Sequence, residues 1–157
     1  MDFAADAIAR HEASIEVGAS PDAVYALVSD ITRMGEWSDE ASGGSWHNDA
    51  EAATEGAWFD GHNQTPDREW TRQCQVACAK PGVDFTFVVG GVEKNCTWWS
   101  YEMSPTESGT LLTERWWMVN KTPAMQAATP EQFEARVAKT ATMLKSTLAR
   151  LKQVAES

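Results

Sequence analysis

Ala13, Ile15 and Val17 alternate with Ser14 and Glu16, the period-two signature of a strand with one buried face. Ser20-Pro21-Asp22 interrupts it with an N-cap residue and a Pro at the first helical position, and Val24, Leu27, Val28 and Ile31 follow at helical spacing. One or two short helices are predicted there, ending near Gly35. Past Gly43-Gly44 the chain becomes aromatic and β-branched in six stretches, 45–48, 57–62, 68–79, 83–89, 96–103 and 110–119, each read as a strand. The separators Lys80-Pro81-Gly82, Gly90-Gly91, and Ser104-Pro105 through Gly109 are short enough for hairpins, so neighbouring strands should pair antiparallel. Asp60-Gly61 also has the composition of a tight turn, which leaves open an earlier end to its strand.

Thr129-Pro130-Glu131-Gln132 joins an N-cap, a Pro at the next position and a capping-box Gln. Phe133, Val137, Ala141, Leu144, Leu148 and Leu151 then recur every three or four residues. A long amphipathic helix over 130–155 is predicted, with Glu131 and Glu134 at its positive end and Lys145, Arg150 and Lys152 near its negative end, as the helix dipole favours. One apolar stripe needs a concave apolar surface to lie against, and a strongly twisted sheet supplies one. The fold class expected is therefore α+β: a seven-stranded curved antiparallel sheet around a long C-terminal helix, with two short helices after strand 1. At 157 residues the chain is expected to form one domain over 1–157, with 1–11 as an N-terminal extension ahead of the sheet.

Charge narrows the partners. The net charge is −10, and positions 1–69 hold 15 acids against 3 bases, while the remainder is close to balanced. Phosphate and anionic bilayers are bound through Lys and Arg, so no nucleic acid and no membrane surface are expected as partners. The start of the chain, Met1-Asp2-Phe3-Ala4-Ala5-Asp6, has acids where a secretory signal needs bases, and nowhere do about 18 apolar residues run together. A cytoplasmic location without membrane insertion is expected, and the sequons at Asn63, Asn95 and Asn120 are then chance matches. Cys74, Cys78 and Cys96 show no metal-ligand pattern and are expected as buried free thiols. Neither metal nor cofactor is expected.

Strand parity proposes the inner wall, since residues i, i+2 and i+4 share a face. Trp70, Arg72, Cys74, Val76 and Cys78 form one set and are predicted inward, with Glu69, Thr71, Gln73 and Gln75 outward. Phe85, Phe87 and Val89 point in by the same rule, as do Thr97, Trp99, Tyr101 and Met103, and Leu112, Glu114, Trp116 and Met118. Trp58, Asp60 and His62 share the outer parity, opposite Phe59. Trp98 and Trp117 are outward too, as a dimer patch or a shielded sheet surface. Arg72 and Glu114 are inward charges, costly unless matched, and are predicted to lie near each other. Either they close an ion pair that touches no guest, or the guanidinium, with Tyr101, presents donors to a carbonyl, carboxylate or phenol oxygen. A strand bulge turning Arg72 outward would remove both options. His11, His47 and His62 are scattered and read as surface residues.

Arg33-Met34-Gly35-Glu36-Trp37-Ser38, Trp46, Gly56-Ala57-Trp58-Phe59-Asp60-Gly61-His62-Asn63, Trp70, Cys74, Val76, Pro81-Gly82, Phe85, Phe87, Trp99-Ser100-Tyr101, Gly109-Thr110 to Glu114, and Trp116 together resemble the polyketide cyclase/dehydrase-like branch of the START-related (SRPBCC) superfamily, in its actinobacterial form. The likeness runs from about Ser14 to Leu151 and implies the helix-grip fold. It also implies that Trp37 and Asn63 stand at a cavity mouth. Ser42-Gly43-Gly44-Ser45 and Gly90-Gly91 are read as gate loops or simple turns. Two departures stand out: Ser38-Asp39-Glu40 where relatives often have Ser-Pro-Glu, and Arg72 where they often carry a small hydroxyl residue.

The expected function is binding or carriage of a small hydrophobic, lipid- or polyketide-like molecule in an internal cavity. The expected contact set is Trp37, Phe59, Asn63, Trp70, Arg72, Cys74, Phe85, Phe87, Trp99, Tyr101, Leu112, Glu114 and Trp116. The alternative is a polyketide aromatase/cyclase or dehydratase in the same cavity, with Arg72 polarising a carbonyl and Tyr101 or Glu114 moving protons. A homodimer using the outer Trp face is compatible with either.

Overall fold

The computed structural model describes residues 5–48 and 50–157; residues 1–4 of the stretch read as an extension lie outside them. Strand β1 (Ala9–Val17) leads into helix α1 (Pro21–Val28) and a 3₁₀ turn (Ile31–Glu36). Six strands follow, β2 (Ala41–Trp46), β3 (Trp58–Thr65), β4 (Arg68–Lys80), β5 (Asp84–Val89), β6 (Thr97–Thr106) and β7 (Gly109–Met118), then a short helix α2 (Pro123–Gln126) and the long helix α3 (Pro130–Glu156). The sheet has seven strands in the order β1-β7-β6-β5-β4-β3-β2, every pair antiparallel. The helix-grip architecture predicted above is the one observed.

Local chemistry sets the ends of the elements. The Ser20 hydroxyl accepts from the Ala23 N–H at 3.2 Å and starts α1. In α3 the box is reciprocal: Gln132 N–H donates to the Thr129 hydroxyl at 3.2 Å, and Thr129 N–H donates to Gln132 Oε1 at 2.9 Å. With two orphan donors satisfied, the helix runs 27 residues, about 40 Å at 1.5 Å per residue. Its buried stripe contains Thr140, Met143 and Thr147 beside Leu144, Leu148 and Leu151. Thr140 turns its hydroxyl back to the Arg136 carbonyl at 3.0 Å, which satisfies that buried group within the helix.

Several sequence expectations are corrected. β1 begins at Ala9, inside the stretch read as an extension, because its pairing with β7 continues to Ala9 opposite Met118. Asp60-Gly61 is no turn: β3 runs on to Thr65, and the hairpin falls between Thr65 and Arg68. Ser42-Gly43-Gly44-Ser45 is no gate, since it lies within β2. Gly44 packs against the 3₁₀ turn so closely that a Cβ there would sit 2.7 Å from Ile31 Cδ1. The inward series on β4 breaks after Val76: a register shift lies between Val76 opposite Phe87 and Cys78 opposite Thr86. The extra residue of such a bulge exchanges the faces beyond it, which puts Cys78 on the parity of Thr86 and Asp84.

The outer tryptophans are buried as well. Trp98 and Trp117 stack at 5.5 Å with 11° between planes, and with Val88 they form a separate cluster joined by Ala7, Ala77 and Val119. At 3% and 4% exposure they offer no open patch for a second copy. Trp58 is half-buried, its ring against Gly91.

Candidate functional site

Sheet register fixes the order of side chains along the concave face. Glu114 lies opposite Tyr101, and Tyr101 opposite Phe85. Two residues along comes the rung Trp116, Trp99, Phe87, Val76, and two further the rung Met118, Thr97, Val89, Cys74, Phe59. Beyond the end of β5, Arg72 faces Gly61 and Trp70 faces Asn63. α1 packs against β6 and β7 beyond the Glu114 rung, where Val24, Leu27 and Val28 join the core with Leu112 and Phe85.

Between that plug and the open end of the sheet, α3 and the sheet do not meet completely. They leave a cavity of about 370 Å³, within the roughly 300–1,000 Å³ usual for sites that enclose small molecules. Of the thirteen contact residues expected, eleven line it: Trp37, Phe59, Asn63, Trp70, Arg72, Cys74, Phe87, Trp99, Tyr101, Glu114 and Trp116. Phe85 and Leu112 do not; both are fully buried in the core. Parity gave them the correct face but not their depth. Sequence reasoning missed the lining from Met34, Ser38, Glu40 and Ala41, from Arg68, from the α2 segment (Thr122, Ala124, Met125), and from Arg136, Met143 and Thr147 of α3. Threonines and an arginine carry no apolar signal, and α2 has too few residues for one. Arg68 alone was legible, since it shares the parity of Trp70 and Arg72.

Arg72 and Glu114 do not pair. Register places Ala79, not Arg72, across from the Glu114 rung on β4, seven positions away and roughly 20 Å along the strand. Among the described residues Arg72 has no carboxylate partner; its side chain is exposed while lining the open end. Glu114 is 1% exposed and takes its hydrogen bond from Tyr101, its cross-strand neighbour. Burial drives its carboxyl well above 4.5, and the Tyr101 bond only partly opposes this. Tyr101 is pushed up for the same reason, first by burial and then by Glu114. Burial thus favours the neutral carboxylic acid at this site, and among the described residues its Oε2 is buried without a hydrogen-bond partner.

The segment before β2 is tied to α3. Glu40 accepts from Arg136 Nη1 at 3.0 Å and sits 3.1 Å from Lys139 Nζ. Burial of Glu40 resists ionisation, but the two cations outweigh it and hold the carboxyl below 4.5. Asp39, at one of the two departures noted above, pairs with Arg150 at 2.5 Å. Cys74, on the cavity wall, is 3% exposed; burial and then Asp60 push its thiol up to about 12, against the pull of Arg72. His47 and His62 lie on the outer face, bonded to Asp60 and Ser45. His11 is not a plain surface residue: it stacks on Trp116 at 6.2 Å, and its Nε2 is buried without a hydrogen-bond partner among the described residues.

A curved antiparallel sheet closed over an aromatic cavity by its last helix defines the helix-grip fold. The chain belongs to the family described as polyketide cyclase / dehydrase and lipid transport, whose profile it matches over residues 9–156. It is similar to the Polyketide_cyc-like protein Cgl2372 from Corynebacterium glutamicum, known from a solution structure: 36% identity over 92% of this chain and 90% of that one, TM-score 0.67. The di-domain ARO/CYC StfQ of the steffimycin biosynthetic pathway shares the fold at 16% identity, with TM-score 0.70 over 96% of this chain and 50% of that one. Protein BH1534 from Bacillus halodurans does so at 17% identity, with TM-score 0.69 over 96% and 99%. No curated protein matches the chain. Among the described residues, no helix is long and apolar enough to cross a membrane.

Proposed function

We propose that the protein binds a small hydrophobic, lipid- or polyketide-like molecule inside the cavity. The observation that carries this reading is a hollow of about 370 Å³ walled by Phe59, Phe87, Trp99 and Trp116. A native interior is otherwise close-packed, and an empty apolar space forfeits contacts that a guest restores. The buried, unpartnered Glu114 Oε2 supplies one polar point of attachment, as such sites commonly have.

The test uses Gly61, which lines the cavity and has room to grow: a Cβ there would sit 3.7 Å from the Arg72 carbonyl oxygen and 4.0 Å from Cys74 Sγ, both ordinary contacts. Gly61→Leu should fold and narrow the space. Native mass spectrometry of the wild type from its own host should show one co-purifying small molecule, and a neutral dye such as Nile red should bind the emptied protein. Both should weaken in Gly61→Leu. A wild type that carries nothing and binds no apolar probe would refute the reading.

A second reading, aromatase/cyclase or dehydratase chemistry in the same cavity, is favoured by the Tyr101–Glu114 pair, since a neutral acid can protonate a carbonyl or a leaving hydroxyl. Turnover of an offered poly-β-ketone that disappears in Glu114→Gln would establish it; unchanged turnover in that variant would refute it.

A further inference from the structure

The polar groups of the cavity are separated into two stations of different character. At the inner station stands Glu114, 1% exposed, with Oε2 lacking a hydrogen-bond partner among the described residues. At the outer station β4 presents Arg68, Trp70 and Arg72 at consecutive inward positions. The Arg68 guanidinium lies 4.0 Å from the centre of the Trp70 ring, and among the described residues neither Arg68 nor Arg72 has a carboxylate partner. The third arginine of the lining, Arg136, is already neutralised by Glu40 at 3.0 Å. Two uncompensated guanidiniums stand at the mouth in a chain of net charge −10, whereas Arg33, Arg115, Arg136 and Arg150 each pair with a carboxylate. Register separates the stations by roughly 20 Å along the strands, and the space between them is aromatic.

We propose that the guest is an elongated amphiphile bound head-outward: an anionic oxygen head, carboxylate or phosphate, at Arg68 and Arg72, an apolar body past Trp70 and Trp99, and an uncharged oxygen near its far end at Glu114. This rests on the reading of the cavity as a binding site. Guanidinium suits the head because its forked donors match carboxylate and phosphate oxygens, and the Trp70 face keeps that fork flat and aimed. Glu114 suits the tail because a buried carboxyl left with an open oxygen gains most from a hydroxyl or carbonyl partner. An ordinary apolar tail would leave that oxygen unsatisfied.

The experiment is a titration series on delipidated protein, followed by tryptophan emission, with palmitate, ω-hydroxypalmitate, methyl palmitate, hexadecanol and palmitoyl-lysophosphatidate. Palmitate should bind about tenfold or more tighter than its methyl ester, and the gap should close in Arg68→Gln/Arg72→Gln, whose substitutions are exposed and spare the core. ω-Hydroxypalmitate should bind tighter than palmitate in the wild type but not in Glu114→Leu, which leaves the acid-to-ester ratio unchanged. An arginine-dependent preference for lysophosphatidate over palmitate supports the proposal and assigns the head to phosphate; the reverse preference assigns it to carboxylate. Equal binding of acid, ester and alcohol overturns the proposal while the cavity reading stands. No binding of any of them, nor of Nile red, removes both.

Discussion

Replacing Glu114 by Gln takes a titratable group out of a place where solvent does not reach and keeps its size. In the unfolded chain this carboxyl ionises above its ordinary 4.5, whereas in the folded protein burial holds it protonated well beyond that point. The native state thus binds more protons than the unfolded state over the window above 4.5. Its contribution to stability is fully present below 4.5 and is lost as pH rises toward the folded-state value, at about 1.4 kcal/mol per pH unit. Gln has no such slope. From about pH 5.5 upward the stability of Glu114→Gln relative to wild type should therefore rise, by at most about 1.4 kcal/mol per pH unit and only until the folded-state value is passed. Urea unfolding of both proteins in matched buffers measures this, and taking the difference cancels every other ionisable group. At the acid end the two should lie within about 1 kcal/mol, because the amide can keep the Tyr101 hydrogen bond. A difference that stays flat across the range would mean that Glu114 is ionised in the folded protein, and the neutral-acid reading of the site would fall.

Two further outcomes follow from the cap and the thiol. Thr129→Ala removes one half of a reciprocal capping box and should cost about 1 kcal/mol in thermal or urea unfolding, with Thr129→Ser largely restoring it; equal stability of all three would mean the cap is idle. Cys74, with its thiol pushed up to about 12, should alkylate with iodoacetamide at about pH 8 roughly a thousandfold more slowly in the folded than in the unfolded protein, since only the thiolate attacks. Peptide mapping that finds equal rates would contradict its burial.

How much of this was legible in the chain depends on which physical rule was in play. Period-two alternation gave the correct face for Trp70, Cys74, Phe87, Trp99, Tyr101, Glu114 and Trp116, because side-chain direction in a strand is a local property, but most of β2 was read as a loop, its Ala41–Gly44 stretch being made of small residues. It failed at Cys78, where a bulge adds a residue, and bulges leave little trace in a pattern of apolar and polar letters. Proximity of Arg72 to Glu114 was a statement about register between strands that are not neighbours, and accumulated offsets along β4, β5 and β6 put them at opposite ends. Phe85 and Leu112 were given the correct side but lie beneath α1, whose docking position is a tertiary fact. The helix residues that roof the cavity, Thr147 and Arg136, are polar letters in an otherwise apolar stripe and read as surface. Trp98 and Trp117 were correctly placed on the outer face, yet they bury each other and are covered, which no count of tryptophans conveys.

The pairing of the first strand with the last has a kinetic side. Ser14 meets Thr113 at 2.8 Å although 99 positions separate them in the chain, and α3, which roofs the hollow, comes later still. The hairpins from β2 to β7 can form between sequence neighbours, but the closing β1–β7 seam must pay the entropy of a very large loop. The strands of the aromatic wall therefore leave the ribosome before the helix that covers them, and the roof can be laid only after the whole wall has been synthesised.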